Sequence, residues 1–212
     1  MDTYTYKPKA PQRSRAAYLL AGGKSSRMGT NKAFLDFAGQ TLLARGLGVL
    51  TAACGSVTIV GDPATFAAFG PVVEDVFPGC GPLGGIHAAL SRSSAEFNAV
   101  LAVDMPFVSV ELIGFLFDAA EAAAEESGAM VTVPRIRTGF QPLCAIYRRD
   151  FTAAAEQALR TGKYKVDATL AHVPLRIVEQ PELEAVGFSE KNFLNINSPE
   201  DYRAAIDLAT QS

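Results

Sequence analysis

Short apolar runs alternate with amphipathic stretches along most of this chain, and the alternation predicts a succession of strands and helices. Residues 16–20 form an apolar run of strand length that stops at a pair of glycines. Residues 41–53 follow as a helix, with Thr41 placed to cap it. Residues 57–60 predict a second strand, ended by Gly61-Asp62-Pro63. A short helix at 64–69, a brief strand at 72–74 and a helix at 82–91 come next, with Pro82 in the first turn. Residues 99–103 are consecutively apolar, the pattern of a strand covered on both faces as in a parallel sheet.

Ser109 is placed to cap a helix at 110–126 that Ser127-Gly128 stops. Strands at 129–133 and 142–147, helices at 149–160 and 166–171, and short extended pieces at 173–178 and 193–196 complete the middle of the chain. Ser198-Pro199-Glu200 opens a last helix with a cap, a proline at the first helical position and early acids. This order predicts an α/β fold: three layers, with a mostly parallel central sheet and helices on both faces. Ligands of such sheets bind beyond the carboxyl ends of the strands. Three segments fall there: the loop after the first strand, Glu74-Asp75, and Asp104.

Composition narrows the classes. A length of 212 residues suits one substantial domain, expected over 15–212, with the polar stretch 1–14 as a flexible N-terminal arm. The net charge of -3 gives no reason to expect a nucleic-acid partner. Cys54, Cys80 and Cys144 are scattered, which supports neither a zinc site nor a disulfide framework and fits a reducing cytoplasm. No apolar run is long enough for a membrane-spanning helix, so no membrane association is expected.

The loop from Leu20 to Lys32, LAGGKSSRMGTNK, carries the candidate chemistry. Gly22 and Gly23 let the backbone turn tightly and present N–H groups to an anion. Lys24, Arg27 and Lys32 add positive charge, a combination suited to a triphosphate. Gly23-Lys24-Ser25 resembles the tail of a Walker A motif, but Tyr18 stands where that motif needs a glycine, which argues against a P-loop kinase. Residues 79–84 formally contain G-x-G-x-x-G, yet they follow a third strand and include Pro82, so a dinucleotide fingerprint is not supported. They read either as a loop passing close to a ligand or as a tight entry to the next helix.

Asp104 closes the buried strand before Met105-Pro106. An acid there is costly unless paired, solvated or metal-bound, and beside a triphosphate Mg²⁺ is the natural partner. Asp75 offers a carboxylate to a base or ribose, or is simply a loop acid. Asn195 and Asn197 alternate with Leu194 and Ile196, so both would face one side. They could hold a ligand or shape the turn before the last helix. His87 and His172 sit among apolar neighbours and do not read as catalytic; neither G-x-S-x-G nor H-E-x-x-H occurs.

The opening loop, Gly81-Pro82-Leu83-Gly84-Gly85-Ile86, Val103-Asp104-Met105-Pro106 and Asn195-Ile196-Asn197-Ser198-Pro199-Glu200 together resemble the molybdenum cofactor guanylyltransferase family, within the sugar-nucleotide-transferase-like nucleotidyltransferases. The motifs occur in the family's order and the resemblance covers about residues 16–208. It implies a Rossmann-like nucleotidyltransferase fold and transfer of GMP from GTP to molybdopterin or its molybdenum-loaded form, with Mg²⁺, or alternatively Mn²⁺. Leu20, Ala21, Gly22, Gly23, Lys32, Asp75 and Asp104 would border the nucleotide. Asp104 would also bind the metal, and Asn195 and Asn197 match a pair on the acceptor side. Arg27, Lys32 and Asp104 are the expected catalytic set. Molybdenum-insertion proteins and molybdoenzyme chaperones are further expected partners. One departure is Gly61, where better-known members carry an asparagine. The rival readings are a relative that uses CTP or another nucleotide with molybdopterin or a sugar phosphate, and a non-catalytic molybdopterin-binding protein.

Overall fold

The computed structural model describes residues 14–22 and 31–210. The chain opens with strand β1 (Arg15–Leu20) and, after a 3-10 turn at Lys32–Phe34, a small hairpin of β2 (Asp36–Phe37) and β3 (Gln40–Thr41). Helix α1 (Leu42–Cys54), β4 (Thr58–Val60), the short α2 (Pro63–Phe66) and β5 (Val72–Val73) follow. Then come α3 (Pro82–Arg92), β6 (Phe97–Ala102), α4 (Val110–Ser127), β7 (Val131–Ile136), β8 (Gly139–Phe140) and β9 (Cys144–Arg148). The last third holds α5 (Phe151–Arg160), α6 (Val166–Leu170), β10 (Leu175–Glu179), α7 (Gln180–Ala185), a 3-10 turn at Glu190–Phe193 and α8 (Pro199–Thr210).

The main sheet has the order β10-β7-β9-β6-β1-β4-β5, with β8 added to β7. Pairings among β5, β4, β1 and β6 are parallel, as is β10 with β7, while β9 runs antiparallel to both of its neighbours. The mostly parallel expectation holds, the reversed strands being β9 and the two-residue β8, which pairs antiparallel with β7. Alternation along the central strands sends side chains to two cores. Ala17, Leu19, Ile59, Ala99 and Leu101 pack on one face with Leu43 and Leu50 of α1 and Leu112, Leu116 and Phe117 of α4. Tyr18, Leu20, Val60 and Val100 pack on the other with Leu83 and Ile86 of α3 and Phe151, Ala155 and Leu159 of α5. Three layers result, and all six residues of β6 are buried, as a strand covered on both sides must be.

The helix boundaries follow local chemistry. Thr41 Oγ1 accepts from Ala44 N at 3.1 Å and Ser109 Oγ from Leu112 N at 3.3 Å, so both expected caps form. Gly128 ends α4 at φ 68°, a conformation that favours glycine. Ser14, placed by sequence in the N-terminal arm, accepts from Glu96 N at 3.0 Å through Oγ. The rest of that arm lies outside the described residues.

The extended piece predicted at 193–196 joins no sheet: Phe193 closes a 3-10 turn whose Ser189 and Asn192 side chains make a capping box, and Leu194 after it is extended. The apolar pattern there has a different cause: Ile196 is buried with Phe37, Leu42 and Ala205 in a third cluster, where α8 covers the hairpin. Tyr202 Oη donates to Asp36 O at 2.6 Å and fastens α8 to β2.

Candidate functional site

The strand order reverses between β1 and β6: the chain builds β4 and β5 on one side of β1 and returns to place β6 on the other. The carboxyl ends of β5, β4, β1 and β6 therefore share one edge, with the crevice of a doubly wound sheet at its centre. Leu20, Ala21 and Gly22 leave β1 there, Gly61 leaves β4, Asp75 lies two residues past β5, and Asp104 two past β6.

The backbone ladder runs past the formal strand ends. Ala21 N and Gly22 N both donate to Val60 O, at 3.0 and 3.1 Å, and Val103 N donates to Leu20 O at 3.0 Å. The amides of Ala21 and Gly22 are thus committed to the sheet. Gly23 and Arg27, the other expected residues of the loop, lie outside the described residues.

Asp104 meets two distant segments. Its carbonyl accepts from Ile196 N at 2.9 Å, which ties the segment before α8 to the end of β6. Its Oδ2 lies 3.4 Å from Lys32 Nζ, and the same ammonium donates to Asn197 Oδ1 at 3.0 Å. Asn31, whose side chain accepts from Ala33 N at 3.1 Å, starts the 3-10 turn that aims Lys32. Asn197 is held by the cap of α8: Asp201 Oδ2 accepts from Asn197 N and Ser198 N, each at 2.9 Å, while Ser198 Oγ accepts from Asp201 N. Asn195 goes elsewhere, its Nδ2 donating to Phe193 O at 3.2 Å. Three of the expected residues therefore converge, and Asn195 does not join them by a hydrogen bond.

Burial raises the pKa of Asp104, and the ammonium of Lys32 opposes that rise. In this structure Lys32 already supplies one cation to this largely buried carboxylate. Among the described residues no cluster of three His, Cys, Asp or Glu could hold a metal unaided. One carboxylate fits Mg²⁺, which retains waters and completes its shell with phosphate oxygens.

Asp75 is built by a glycine. A Cβ on Gly84 would lie 2.7 Å from Asp75 Oδ2, so the absence of a side chain lets the carboxylate sit against the first turn of α3. Asp75 Oδ1 also accepts from Phe77 N at 2.8 Å. Burial raises the Asp75 pKa, opposed by the Phe77 amide and by His87. Gly85 has another role, since its Cβ would stand 3.2 Å from Leu20 Cδ2, where α3 packs closely on β1. Gly81 enters α3 at φ 70°. These features agree with a tight helix entry, and Gly84 is the glycine of the cluster that makes room for Asp75. Sequence reading missed Gly84 as a positioning residue; the signal was a Gly-Gly pair inside a helix, which is unfavourable without a packing reason.

Gly61 is likewise explained by packing. A Cβ there would lie 2.8 Å from the Phe66 ring. Asp62 turns away as the N-cap of α2, accepting from Ala64 N at 2.9 Å.

The chain is similar to known proteins over most of its length. A "Probable molybdenum cofactor guanylyltransferase" of Clostridium perfringens is 34% identical over 196 residues, covering 91% of this chain and 96% of that protein. A "Molybdenum cofactor guanylyltransferase" of Desulfosudis oleivorans is 31% identical over 190 residues, covering 88% of this chain and 92% of that one. Among solved structures, the molybdopterin-guanine dinucleotide biosynthesis protein A of Archaeoglobus fulgidus superposes with a TM-score of 0.80 at 24% identity, over 93% of this chain and all of that chain, a likeness that speaks to the fold. The family model for the MobA-like NTP transferase domain matches residues 17–175. That span runs from β1 to the start of β10 and includes Lys32, Asp75 and Asp104, so the chain belongs to the MobA-like NTP transferase domain family.

Proposed function

We propose that this protein is a molybdenum cofactor guanylyltransferase, which transfers GMP from GTP to molybdopterin or its molybdenum-loaded form and releases pyrophosphate. The observation that carries the reading is the meeting of Lys32, Asp104 and Asn197 at the switch point of the sheet, in a chain similar over most of its length to proteins named for that activity.

The chemistry asks little of acid–base groups. An oxygen of the acceptor's terminal phosphate attacks the α-phosphorus of GTP, a new P–O bond forms, and the bond to the β-phosphate oxygen breaks with pyrophosphate leaving. A phosphate monoester has its second pKa near ~6 and is already largely ionised at neutral pH. No general base is needed, which agrees with an edge furnished by Lys32, Asp75, Asp104 and Asn197 and not by histidine. The protein's task is alignment and charge neutralisation. In this reading Leu20, Ala21 and Gly22 border the nucleotide as the wall of the crevice, with Gly23 beside them. Asp75 accepts hydrogen bonds from the base or ribose. Lys32 and Arg27 meet the phosphates, while Asn197 and Asn195 lie on the acceptor side. Asp104 would hold a divalent metal, read as Mg²⁺ with Mn²⁺ as an alternative, which supplies charge neutralisation at the phosphates when bound.

No described helix is long and apolar enough to cross a membrane. The protein is read as cytoplasmic, with molybdenum-insertion proteins and molybdoenzyme chaperones as further partners and 15–212 as a single catalytic domain. Pyrophosphate release in the presence of molybdopterin, measured with GTP, CTP, UTP and ATP in turn, tests the function. GTP is expected to be turned over in strong preference. Equal turnover of CTP would transfer the reading to a cytidylyltransferase, and molybdopterin binding without pyrophosphate release would make this a carrier protein.

A further inference from the structure

The ammonium of Lys32 lies between two groups with different duties in the proposed reaction: the carboxylate of Asp104 at 3.4 Å and the amide oxygen of Asn197 at 3.0 Å. The Lys32 and Asp104 side chains are only 17% and 20% exposed, so water screens the pair weakly. We propose that Lys32 holds the metal's place on Asp104 until a nucleotide arrives, so that metal binding and the release of Asn197 both wait for the triphosphate. The proposal rests on the reading of Asp104 as the metal-binding carboxylate.

Two physical facts lead there. First, the described residues hold no cluster of three His, Cys, Asp or Glu around Asp104. Mg²⁺ and Mn²⁺ prefer several oxygen ligands, so most of the shell must come from water and phosphate. Second, a divalent ion on Asp104 would stand within a few ångströms of a positive charge that is already neutralising the same carboxylate. Like charges at that separation repel, and the repulsion is large where water is excluded. A triphosphate reverses both terms. It draws the lysine toward its own oxygens, frees the carboxylate, and brings the oxygen ligands that the metal lacks.

The same movement acts on the acceptor side. Asn197 is fixed through its backbone by Asp201 at the start of α8, so its side chain stays in place when the lysine leaves. Its Oδ1 then loses a donor and becomes available to an incoming ligand. One lysine thereby links three events in an order: nucleotide, then metal on Asp104, then acceptor at Asn197.

Mn²⁺ binding, followed by the loss of the free-ion electron paramagnetic resonance signal, tests this without turnover. The proteins are the full-length wild type, Lys32→Met, Asp104→Asn and the double variant, each with and without an α,β-methylene analogue of GTP. Without nucleotide, Lys32→Met is expected to bind Mn²⁺ at least about tenfold more tightly than wild type, the scale of a nearby charge acting on a partly buried group. The double variant is expected to lose that gain. Lys32→Gln, which keeps a donor for Asn197, is expected to behave as Lys32→Met and guards against a folding defect in one variant. Equal or weaker Mn²⁺ binding by both lysine variants overturns the inference. If Asp104→Asn leaves Mn²⁺ binding in the nucleotide complex unchanged, the metal role of Asp104 falls, and this inference with it. If Asp104→Asn abolishes that binding while the lysine variants show no gain, this inference alone falls.

Discussion

The ring of Phe66 occupies the space in which a side chain at position 61 would stand: a Cβ built on Gly61 comes within 2.8 Å of Phe66 Cδ2 and 2.9 Å of Cε2. Phe66 is buried and stacks on Phe34, their ring centroids 5.9 Å apart. The glycine at the end of β4 is therefore tied to the phenylalanine of α2, and the two positions are coupled.

Gly61→Ala is expected to destabilise the protein by about 1–3 kcal/mol, the range for overpacking a filled core. Phe66→Leu in the same chain is expected to recover part of the loss. Urea denaturation of both single variants and the double variant measures the coupling. Strict additivity would show that Phe66 moves aside freely and that position 61 is open to side chains.

Asp104→Asn is expected to separate stability from activity. Burial disfavours the ionised form of Asp104, against the opposing Lys32 ammonium, so a neutral isostere is expected to stabilise the fold at neutral pH. The gain disappears at low pH, where the native carboxyl is itself protonated. Turnover is expected to fall on the order of 10²-fold or more, as for loss of one electrostatic group at a reacting phosphate. Thermal melts at two pH values together with pyrophosphate release check both halves; a variant that is less stable at neutral pH contradicts the first.

Gly84→Ala places a methyl where Asp75 Oδ2 now sits. The helix itself gains from alanine, so the melting temperature is expected to hold or rise. The displaced carboxylate is expected to raise the KM for GTP about tenfold, equivalent to ~1.4 kcal/mol of binding, with little change in kcat. A purely structural glycine would give the opposite pattern, a lower melting temperature with an unchanged KM.

His87 gives the stability a pH dependence. It is buried on α3, its ring edge-on to Phe77 at 5.1 Å and its Nε2 3.3 Å from Ser91 Oγ, while Nδ1 has no hydrogen-bond partner. Burial lowers its pKa from 6.5; Glu156 and Asp75 act against that shift and Arg160 adds to it. The unfolded chain therefore takes up the proton first as pH falls. The stabilisation is full above about 6.5 and is lost progressively below it, toward the lower folded-state pKa. Urea midpoints of wild type and His87→Leu between pH 8 and pH 5 are expected to show a steeper acid loss in wild type. Parallel curves would mean that this histidine does not couple to folding.

Where the signal lay in adjacent residues, the sequence was sufficient. The apolar runs placed β1 and β6, Thr41 and Ser109 marked the starts of α1 and α4, and Gly128 marked a stop, because caps, turns and continuous burial are local or periodic properties. The hairpin β2–β3 escaped, since Ala38 and Gly39 turn it at φ 52° and 85° without the usual Asn-Gly or Asp-Gly signal. The reversal of β9 escaped too, because a strand's direction is set by its partners.

The chemistry divides in the same way. Asp104 was legible because an acid closing an apolar strand is costly by itself. That Lys32 lies 3.4 Å from it, across 72 positions of sequence, and that Asn197 rather than Asn195 completes the group, depended on how the hairpin and α8 pack together around Phe37 and Ile196. Residue types and their spacing determined which groups were available and which strands would carry them. Only the tertiary packing decided which of them meet, because long-range contacts are fixed by the mutual burial of surfaces far apart in the chain.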